Sequence, residues 1–277
     1  MGTEALGGLI DPGQTAFFIP SHLKAFKLNL FNRIAATIQA KGGAVVRGDI
    51  ELLAHKVRKG RVPIVGCTPE LRPYIEAWKA EGRDWIYWDR GYARRVFATD
   101  LPTGSDGGFY RWHVGGFQLG VVADRPADRW QALETPLWPW KTQGRHIVIA
   151  QPSPTYERFH GIEGWTERTI EELKRHTDRP LVIRDKEMQR FGRKLHEDLK
   201  GAHCLVTHGS NAAVESVIMG CPVFVHPDSA ASLVGKTDLN EIESPIYPDR
   251  EPWVRSLAYS QFNERELVDG TLWKLLR

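Results

Sequence analysis

Short apolar runs alternate with amphipathic helical patterns along this chain of 277 residues, and this alternation constrains its fold more than any other feature. In the first half, runs rich in β-branched and aromatic residues occur at residues 16–20, 44–47, 62–66 and 85–88. Helical spacing between such runs is typical of βαβ units, whose parallel strands lie side by side in one sheet. The pattern therefore predicts an α/β fold.

Residues 125–145 interrupt the alternation, which then resumes in the second half. The interruption contains three prolines and three tryptophans with little periodicity, so we interpret it as a linker. The strands and helices that follow are predicted at residues 146–150, 165–177, 181–184, 190–199, 204–207, 211–219 and 222–226, with a loop at 151–164.

The two stretches of alternation predict two Rossmann-like domains, at residues 1–140 and 141–252. Residues 253–277 differ from both, because apolar residues recur there at helical spacing without an obvious strand. They predict a closing helical tail of one or two amphipathic helices, with a break at Gly270.

Composition narrows the class of protein further. With 42% hydrophobic and 26% charged residues, the chain resembles ordinary globular proteins and not disordered or collagen-like ones. No stretch reaches the roughly 18–20 apolar residues of a membrane span, and residues 1–13 lack the pattern of a signal peptide. Cys67, Cys204 and Cys221 have no CxxC spacing, which argues against a disulfide framework and a zinc site. We expect a cytoplasmic protein without a metal.

One turn in the second half carries the strongest chemical signal. The residues His208-Gly209-Ser210-Asn211 join a predicted strand directly to a predicted helix. Small residues there let the backbone approach a ligand, and the N–H groups of the first helical turn favour an anion. Ligands of open α/β sheets bind at the carboxyl ends of the strands, where this turn lies. Glu215 follows Asn211 by one helical turn, so its carboxylate is placed to accept ribose hydroxyls.

The pattern His-Gly-Ser-Asn-x-x-x-Glu-x-x-x-x-Gly-x-Pro-Val, which begins at His208, resembles the donor-site signature of GT-B glycosyltransferases. The resemblance implies two Rossmann-like domains that face each other across a cleft, with the nucleotide-sugar held by the C-terminal domain. It implies that Ser210 and Asn211 lie at the phosphates and Glu215 on the ribose. It also implies that no cofactor is permanently bound and that a UDP- or CMP-type nucleotide-sugar is the co-substrate.

Polar side chains elsewhere in the second half are candidates for further donor contacts. The chain has no Asp-x-Asp element of the metal-dependent GT-A kind, so basic groups and helix N-termini are expected to stabilise the departing phosphates. Arg184 and Lys186, at the end of a predicted strand, are the candidates together with His208. Asp238, in a polar loop after the last predicted strand, is a candidate to bind sugar hydroxyls.

Asp89 is the candidate catalytic base, because it directly follows a predicted strand and so lies at a carboxyl end of the first sheet. The adjacent Arg90 is placed to orient it or to pair with the donor. His113, in the tripeptide Arg111-Trp112-His113, is the alternative base.

Two acceptors fit the sequence, and DNA is the favoured one. A hydroxymethylated pyrimidine, as in phage DNA modification, agrees with the net charge of +3 and with a closing segment similar to phage proteins. A surface polysaccharide or lipid-linked glycan agrees with the ten tryptophans and with a closing segment that also resembles bacterial surface-polysaccharide transferases. A non-catalytic nucleotide-sugar-binding protein and an epimerase of the same architecture remain open. The candidate acceptor contacts are His22, Arg90, Arg94, Arg111 and Trp112.

Overall fold

The computed structural model of the protein describes residues 10–21, 25–93, 108–185 and 192–276. Its contacts divide the chain into two compact units. The first comprises the described residues up to Phe117 together with those from Ala258 onward, and the second is Gln118–Leu257. Each unit contains one sheet flanked by helices, so the prediction of an α/β fold is confirmed. No helix in the described part of the chain has both the length and the apolar character to cross a bilayer.

Strands and helices alternate through most of both units. The strands are β1 (Thr15–Ile19), β2 (Ala44–Arg47), β3 (Val62–Val65), β4 (Ile86–Arg90), β5 (Phe109–Val114), β6 (His146–Ala150), β7 (Leu181–Arg184), β8 (Ala202–Thr207), β9 (Val223–Val225) and β10 (Gln261–Asn263). The α-helices are α1 (Ala25–Ala40), α2 (Ile50–Arg58), α3 (Arg72–Ala80), α4 (Asp128–Ala132), α5 (Pro154–His160), α6 (Trp165–Leu173), α7 (Leu195–Asp198), α8 (Asn211–Ile218), α9 (Glu251–Tyr259), α10 (Glu264–Val268) and α11 (Thr271–Leu275).

The first unit is built on a six-stranded mixed sheet with the strand order β10-β5-β4-β3-β1-β2. Strands β2, β1, β3 and β4 are parallel neighbours, as the alternating pattern predicts. Strands β5 and β10 run antiparallel to their neighbours at the opposite edge. The closing segment, predicted to be helical, therefore also supplies a strand, β10, which is only three residues long and leaves no visible period in the sequence.

One face of this sheet packs against α1 and the C-terminal helices through an aromatic cluster. The ring of Trp88 lies 4.5 Å from that of Phe31 and 5.4 Å from that of Trp112. Because successive residues of a strand point to opposite faces, the neighbours Asp89 and His113 lie on the other face of the sheet. Asp89 and His113 are therefore separated by the sheet from the cluster around Trp88.

The second unit is built on a four-stranded parallel sheet with the order β7-β6-β8-β9. The strands predicted at residues 146–150 and 181–184 and the helix that begins at Asn211 are confirmed. The loop prediction for residues 151–164 is wrong, because they contain α5. Ser153 caps this helix by accepting from the N–H of Tyr156 at 3.2 Å, and Gly161 ends it with a φ of 65°. A helix of seven residues is too short to show an apolar stripe.

Gly220 closes the turn after α8 in a conformation that requires glycine. Its φ is +77°, and a Cβ built there would lie 1.9 Å from the carbonyl oxygen of Pro139. We expect Gly220→Ala to lower the free energy of unfolding by about 2–3 kcal/mol, since it combines a left-handed φ with a backbone clash. Urea unfolding measures this change. Gly201→Ala, at a φ of +73° with no atom within 4 Å of the added Cβ, separates the clash from the strain. Equal losses in the two variants would contradict a role for the Pro139 contact.

Candidate functional site

The turn that joins β8 to α8 has the geometry predicted for it. Strand β8 ends at Thr207, whose hydroxyl donates to the carbonyl of Ala150 at 2.7 Å and so links the ends of β8 and β6. Ser210 is the N-cap of α8, and its side chain accepts from the N–H of Ala212 at 3.2 Å. The turn therefore lies at the carboxyl edge of the sheet, where the N-terminus of α8 favours an anion. We call residues 208–211, which the sequence predicts to bind a donor, the donor turn.

Aromatic and imidazole rings surround His208, the first residue of the donor turn. Its ring stacks on that of His226, which directly follows β9, with centroids 4.2 Å apart and an interplanar angle of 14°. The hydroxyl oxygen of Tyr156 lies 3.2 Å from Nδ1 of His208. The rings of His160 and Trp165 lie 5.6 and 6.4 Å away. Two stacked imidazole rings thus lie at the carboxyl ends of β8 and β9, next to the rings of Tyr156, His160 and Trp165.

Gly209 is enclosed by two side chains from other parts of the second unit. The carbonyl oxygen of Gly209 accepts from Nε2 of Gln118 at 2.7 Å. A Cβ at this position would lie 2.4 Å from the hydroxyl oxygen of Tyr156. With the Tyr156 hydroxyl in this position beside His208, only glycine fits at position 209.

The remaining predicted residues of the turn lie on α8 in the expected order. Asn211 is buried at the first position of the helix, and Glu215 is half-buried one turn later. Residues four apart lie on the same side of a helix, so the side chains of Asn211 and Glu215 share one face of α8. Glu215 thus lies on the helix that the turn begins, as the sequence predicts.

The other predicted donor contacts have different surroundings. Arg184 is buried in a network in which it pairs with Asp198 and donates to the carbonyl of Arg193 at 2.9 Å. Its guanidinium therefore stabilises the chain after β7 in this conformation. Asp238 is exposed and caps a short 3₁₀ helix by accepting from the N–H of Asn240 at 2.9 Å. Lys186 lies outside the described residues.

In the first unit, Asp89 belongs to a polar cluster on the sheet face opposite the aromatic core. Its Oδ2 lies 3.0 Å from Nη2 of Arg111, its partner on the neighbouring strand. Its Oδ1 accepts from the N–H of Arg90 at 2.8 Å. The Arg111 side chain is 5% exposed and that of Asp89 is 37% exposed. A buried guanidinium thus orients a carboxylate that solvent still reaches.

His113 lies deeper in the same cluster. Its Nε2 is hydrogen-bonded to the hydroxyl of the buried Tyr92 at 2.7 Å. Burial, and to a smaller extent the charge of Arg111, lowers the pKa of His113 to about 3. The ring of His113 is buried, whereas the carboxylate of Asp89 is partly exposed, so accessibility favours Asp89 over His113 as the candidate base.

The predicted acceptor contacts are divided between the two faces of the sheet. Arg111 lies beside Asp89 on the neighbouring strand β5. Arg90 follows Asp89 on β4 and so points to the face of the aromatic cluster, where its guanidinium lies 5.9 Å from the centre of the Tyr110 ring. Trp112 also lies on that face, is 1% exposed and packs inside the aromatic cluster. His22 and Arg94 lie outside the described residues.

Three residues around the donor turn escaped the sequence analysis: Gln118, Tyr156 and His226. The position of His226 at the end of a predicted strand was an available signal. Tyr156 was missed because its helix was predicted to be a loop. Gln118 is separated from Gly209 by 91 positions, and no local pattern connects residues so far apart.

Comparison with known proteins shows the fold of the chain. No protein-family model and no curated protein matches the sequence. The solved structure of Thermosulfurimonas dismutans KpsC, beta Kdo 2,7 transferase, is 12% identical, with a TM-score of 0.52 over 93% of this chain and 99% of that one. The KpsC beta Kdo 2,4 transferase of the same organism is 10% identical, with a TM-score of 0.50 over 92% and 98%. The chain therefore has a fold found in solved glycosyltransferases.

Proposed function

We propose that this protein is a glycosyltransferase that moves a sugar from a UDP- or CMP-type nucleotide-sugar to a hydroxyl of a polysaccharide or lipid-linked glycan. The observation that carries the proposal is the donor turn, which caps α8 at the carboxyl edge of a parallel sheet and is followed on that helix by Glu215. The chain that contains this turn has the fold of two solved Kdo transferases. We infer that the second unit binds the donor and that the first unit binds the acceptor.

The donor turn supplies the contacts that a nucleotide-sugar needs. Backbone N–H groups at the start of α8 and the helix dipole stabilise the phosphates without a metal ion. The Glu215 carboxylate accepts hydrogen bonds from the ribose hydroxyls one turn along the helix. The imidazoles of His208 and His226, stacked 4.2 Å apart, add donors beside the turn for the charge that develops on the leaving phosphate.

Asp89 is the residue that we assign to the acceptor side of the reaction. Its carboxylate takes the proton of the acceptor hydroxyl as the hydroxyl oxygen attacks the anomeric carbon and the bond from that carbon to the phosphate oxygen breaks. The departing nucleotide keeps the electron pair of that bond. Arg111 holds Asp89 in place and remains charged throughout.

Burial of Trp112 weighs against the DNA acceptor that the sequence favoured. Of the acceptor contacts predicted from the sequence, Trp112 lies in the core and Arg111 is 4% exposed. A base extruded from DNA is commonly stacked on aromatic side chains, and a buried Trp112 is not available for that contact. The two similar structures are named as Kdo transferases, and this likeness supports a glycan acceptor instead.

Consumption of a nucleotide-sugar tests the proposal. The protein is incubated with a panel of donors, UDP-hexoses and CMP-activated Kdo among them, with short glycan acceptors or with DNA that contains 5-hydroxymethylcytosine. We expect release of one nucleotide and a mass gain on a glycan. A mass gain on the nucleosides of the DNA would overturn the acceptor assignment. No consumption of any donor would overturn the assignment as a transferase.

Glu215→Ala is expected to weaken donor binding by roughly ten- to a hundredfold, because it removes charge-assisted hydrogen bonds to the ribose. Titration calorimetry with the nucleotide that the wild-type protein releases measures this loss. Glu171→Ala is the matched control, since Glu171 is an exposed glutamate on α6 of the same unit. An unchanged dissociation constant in Glu215→Ala would remove this residue from the donor site.

A further inference from the structure

The side chain of Gln118 bridges two segments that are far apart in the sequence. It is the first residue of the second unit and is 8% exposed, although it lies in a bend outside the strands and helices. Its Nε2 donates to the carbonyl oxygen of Gly209 in the donor turn at 2.7 Å. Its Oε1 accepts from the N–H of Ala230 at 2.9 Å. A single amide thus holds the donor turn against the short 3₁₀ helix Ala230–Leu233.

Both ends of this bridge are anchored in the second unit. The carbonyl of Ala230 accepts from Nε1 of Trp253 at 2.8 Å, and Trp253 is itself 1% exposed. On the side of the turn, the carbonyl of His208 accepts from the N–H of His226 at 2.9 Å. Gln118 therefore links the donor turn to buried residues of the second unit and not to its surface.

The bond to Gly209 also determines where the next N–H group points. The carbonyl of Gly209 and the N–H of Ser210 belong to one planar trans peptide, in which they point in opposite directions. Because Gln118 draws the carbonyl toward itself, it directs the Ser210 N–H away from itself. That N–H lies at the N-cap of α8, among the backbone groups that favour an anion.

A primary amide satisfies both bonds at this position at any pH. Gln118 donates to a carbonyl oxygen with one end and accepts from an N–H with the other. A carboxylate would face the Gly209 oxygen with a second acceptor, and an aliphatic side chain would leave two buried backbone groups without this partner. The residue type is therefore set by the two groups that it joins.

We propose that Gln118 is a positioning residue of the donor site, which orients the donor turn for the phosphates of the nucleotide-sugar through its bonds to Gly209 and Ala230. The inference rests on the proposed function and deepens it. Gln118 does not contact the reacting atoms in this role. It acts through the peptide between Gly209 and Ser210.

Gln118→Glu tests the proposal because its effect reverses with pH. At pH 8 the introduced carboxylate repels the Gly209 oxygen, and we expect the dissociation constants of CMP and UDP to rise at least about tenfold. When the introduced carboxyl is protonated, it can again donate to Gly209 and accept from Ala230. Burial favours that neutral form, so we expect affinity within about threefold of wild type at pH 5.5. Calorimetry at 10 °C, with the folded fraction checked by circular dichroism, measures both.

Two further variants keep this test decisive. Gln131→Glu introduces the same charge on an exposed glutamine of the same unit and should bind both nucleotides as the wild type does at either pH. Gln118→Met keeps the volume of the side chain, loses both bonds, and should bind about tenfold more weakly at both pH values. If Gln118→Glu and Gln118→Met are both folded and bind within twofold of wild type, the positioning role is refuted.

Hydrogen exchange separates this inference from the proposed function. The Ala230 N–H donates to Gln118, so its exchange in the nucleotide-free protein should accelerate at least about tenfold in Gln118→Met and remain unchanged in Gln131→Glu. Failure of the wild-type protein to bind CMP, UDP or any nucleotide-sugar refutes the proposed function. Unchanged exchange at Ala230 refutes the bridge itself.

Discussion

Replacement of Asp89 by asparagine is expected to lower turnover by about two to four orders of magnitude while donor affinity stays within about threefold of wild type. This range is the usual contribution of a positioned general base. Asparagine has nearly the shape of aspartate, and its single amide oxygen can still accept from either Arg111 or the N–H of Arg90, but it cannot take a proton from the acceptor hydroxyl. Steady-state kinetics with the donor that the wild-type protein consumes give the turnover number, and calorimetry gives the affinity.

Asp84, which lies just before the same strand, provides the control for this variant. Asp84 is exposed and precedes β4 by two positions, so Asp84→Asn makes the same chemical change without touching the polar cluster. We expect this control to turn over as the wild type does. Loss of a carboxylate beside the buried Arg111 also costs some stability, so both variants are compared at a temperature where unfolding is negligible. If Asp89→Asn retained more than a third of wild-type turnover, Asp89 would not be the base.

The backbone structure of the donor turn could be predicted from the local sequence pattern alone. The apolar run before it, the small residues of the turn and the spacing from Ser210 to Glu215 are all consecutive in the chain. Their structure follows from capping and helical geometry, which depend on neighbours in the sequence. The prediction that β8 ends at Thr207 and that a helix begins at Asn211 is accordingly confirmed.

The side chains that contact the donor turn could not be predicted in the same way. Gln118 reaches Gly209 across 91 positions, and Tyr156 reaches His208 across 52. Each contact depends on tertiary packing, which a single sequence does not display. For the same reason Trp112 was predicted to bind an acceptor: a tryptophan beside an arginine on a strand has the same local pattern whether its ring points to solvent or into the core. The register of β5 against β4 decides between these two cases.

Acid is expected to destabilise the first unit through His113. The ordinary pKa of a histidine is 6.5, and burial, with a smaller effect of Arg111, lowers that of His113 to about 3 in the folded protein. Below pH 6.5 His113 is protonated in the unfolded chain but neutral in the folded chain, so the free energy of unfolding falls as the pH falls. The contribution of His113 to this free energy is complete above pH 6.5 and decreases by roughly 1.4 kcal/mol per pH unit toward pH 3. The total loss from this one residue is about 4–5 kcal/mol.

Urea unfolding of the wild type and of His113→Gln between pH 7.5 and pH 3.5 isolates this contribution. Glutamine can still accept from the Tyr92 hydroxyl but does not titrate, so the variant should lose less stability than the wild type over this range. His55→Gln, at an exposed histidine on α2 of the same unit, controls for the removal of a histidine. It should keep the wild-type pH dependence. Parallel curves for the wild type and His113→Gln would mean that His113 binds its proton equally well in the folded and the unfolded protein, so that burial does not lower its pKa.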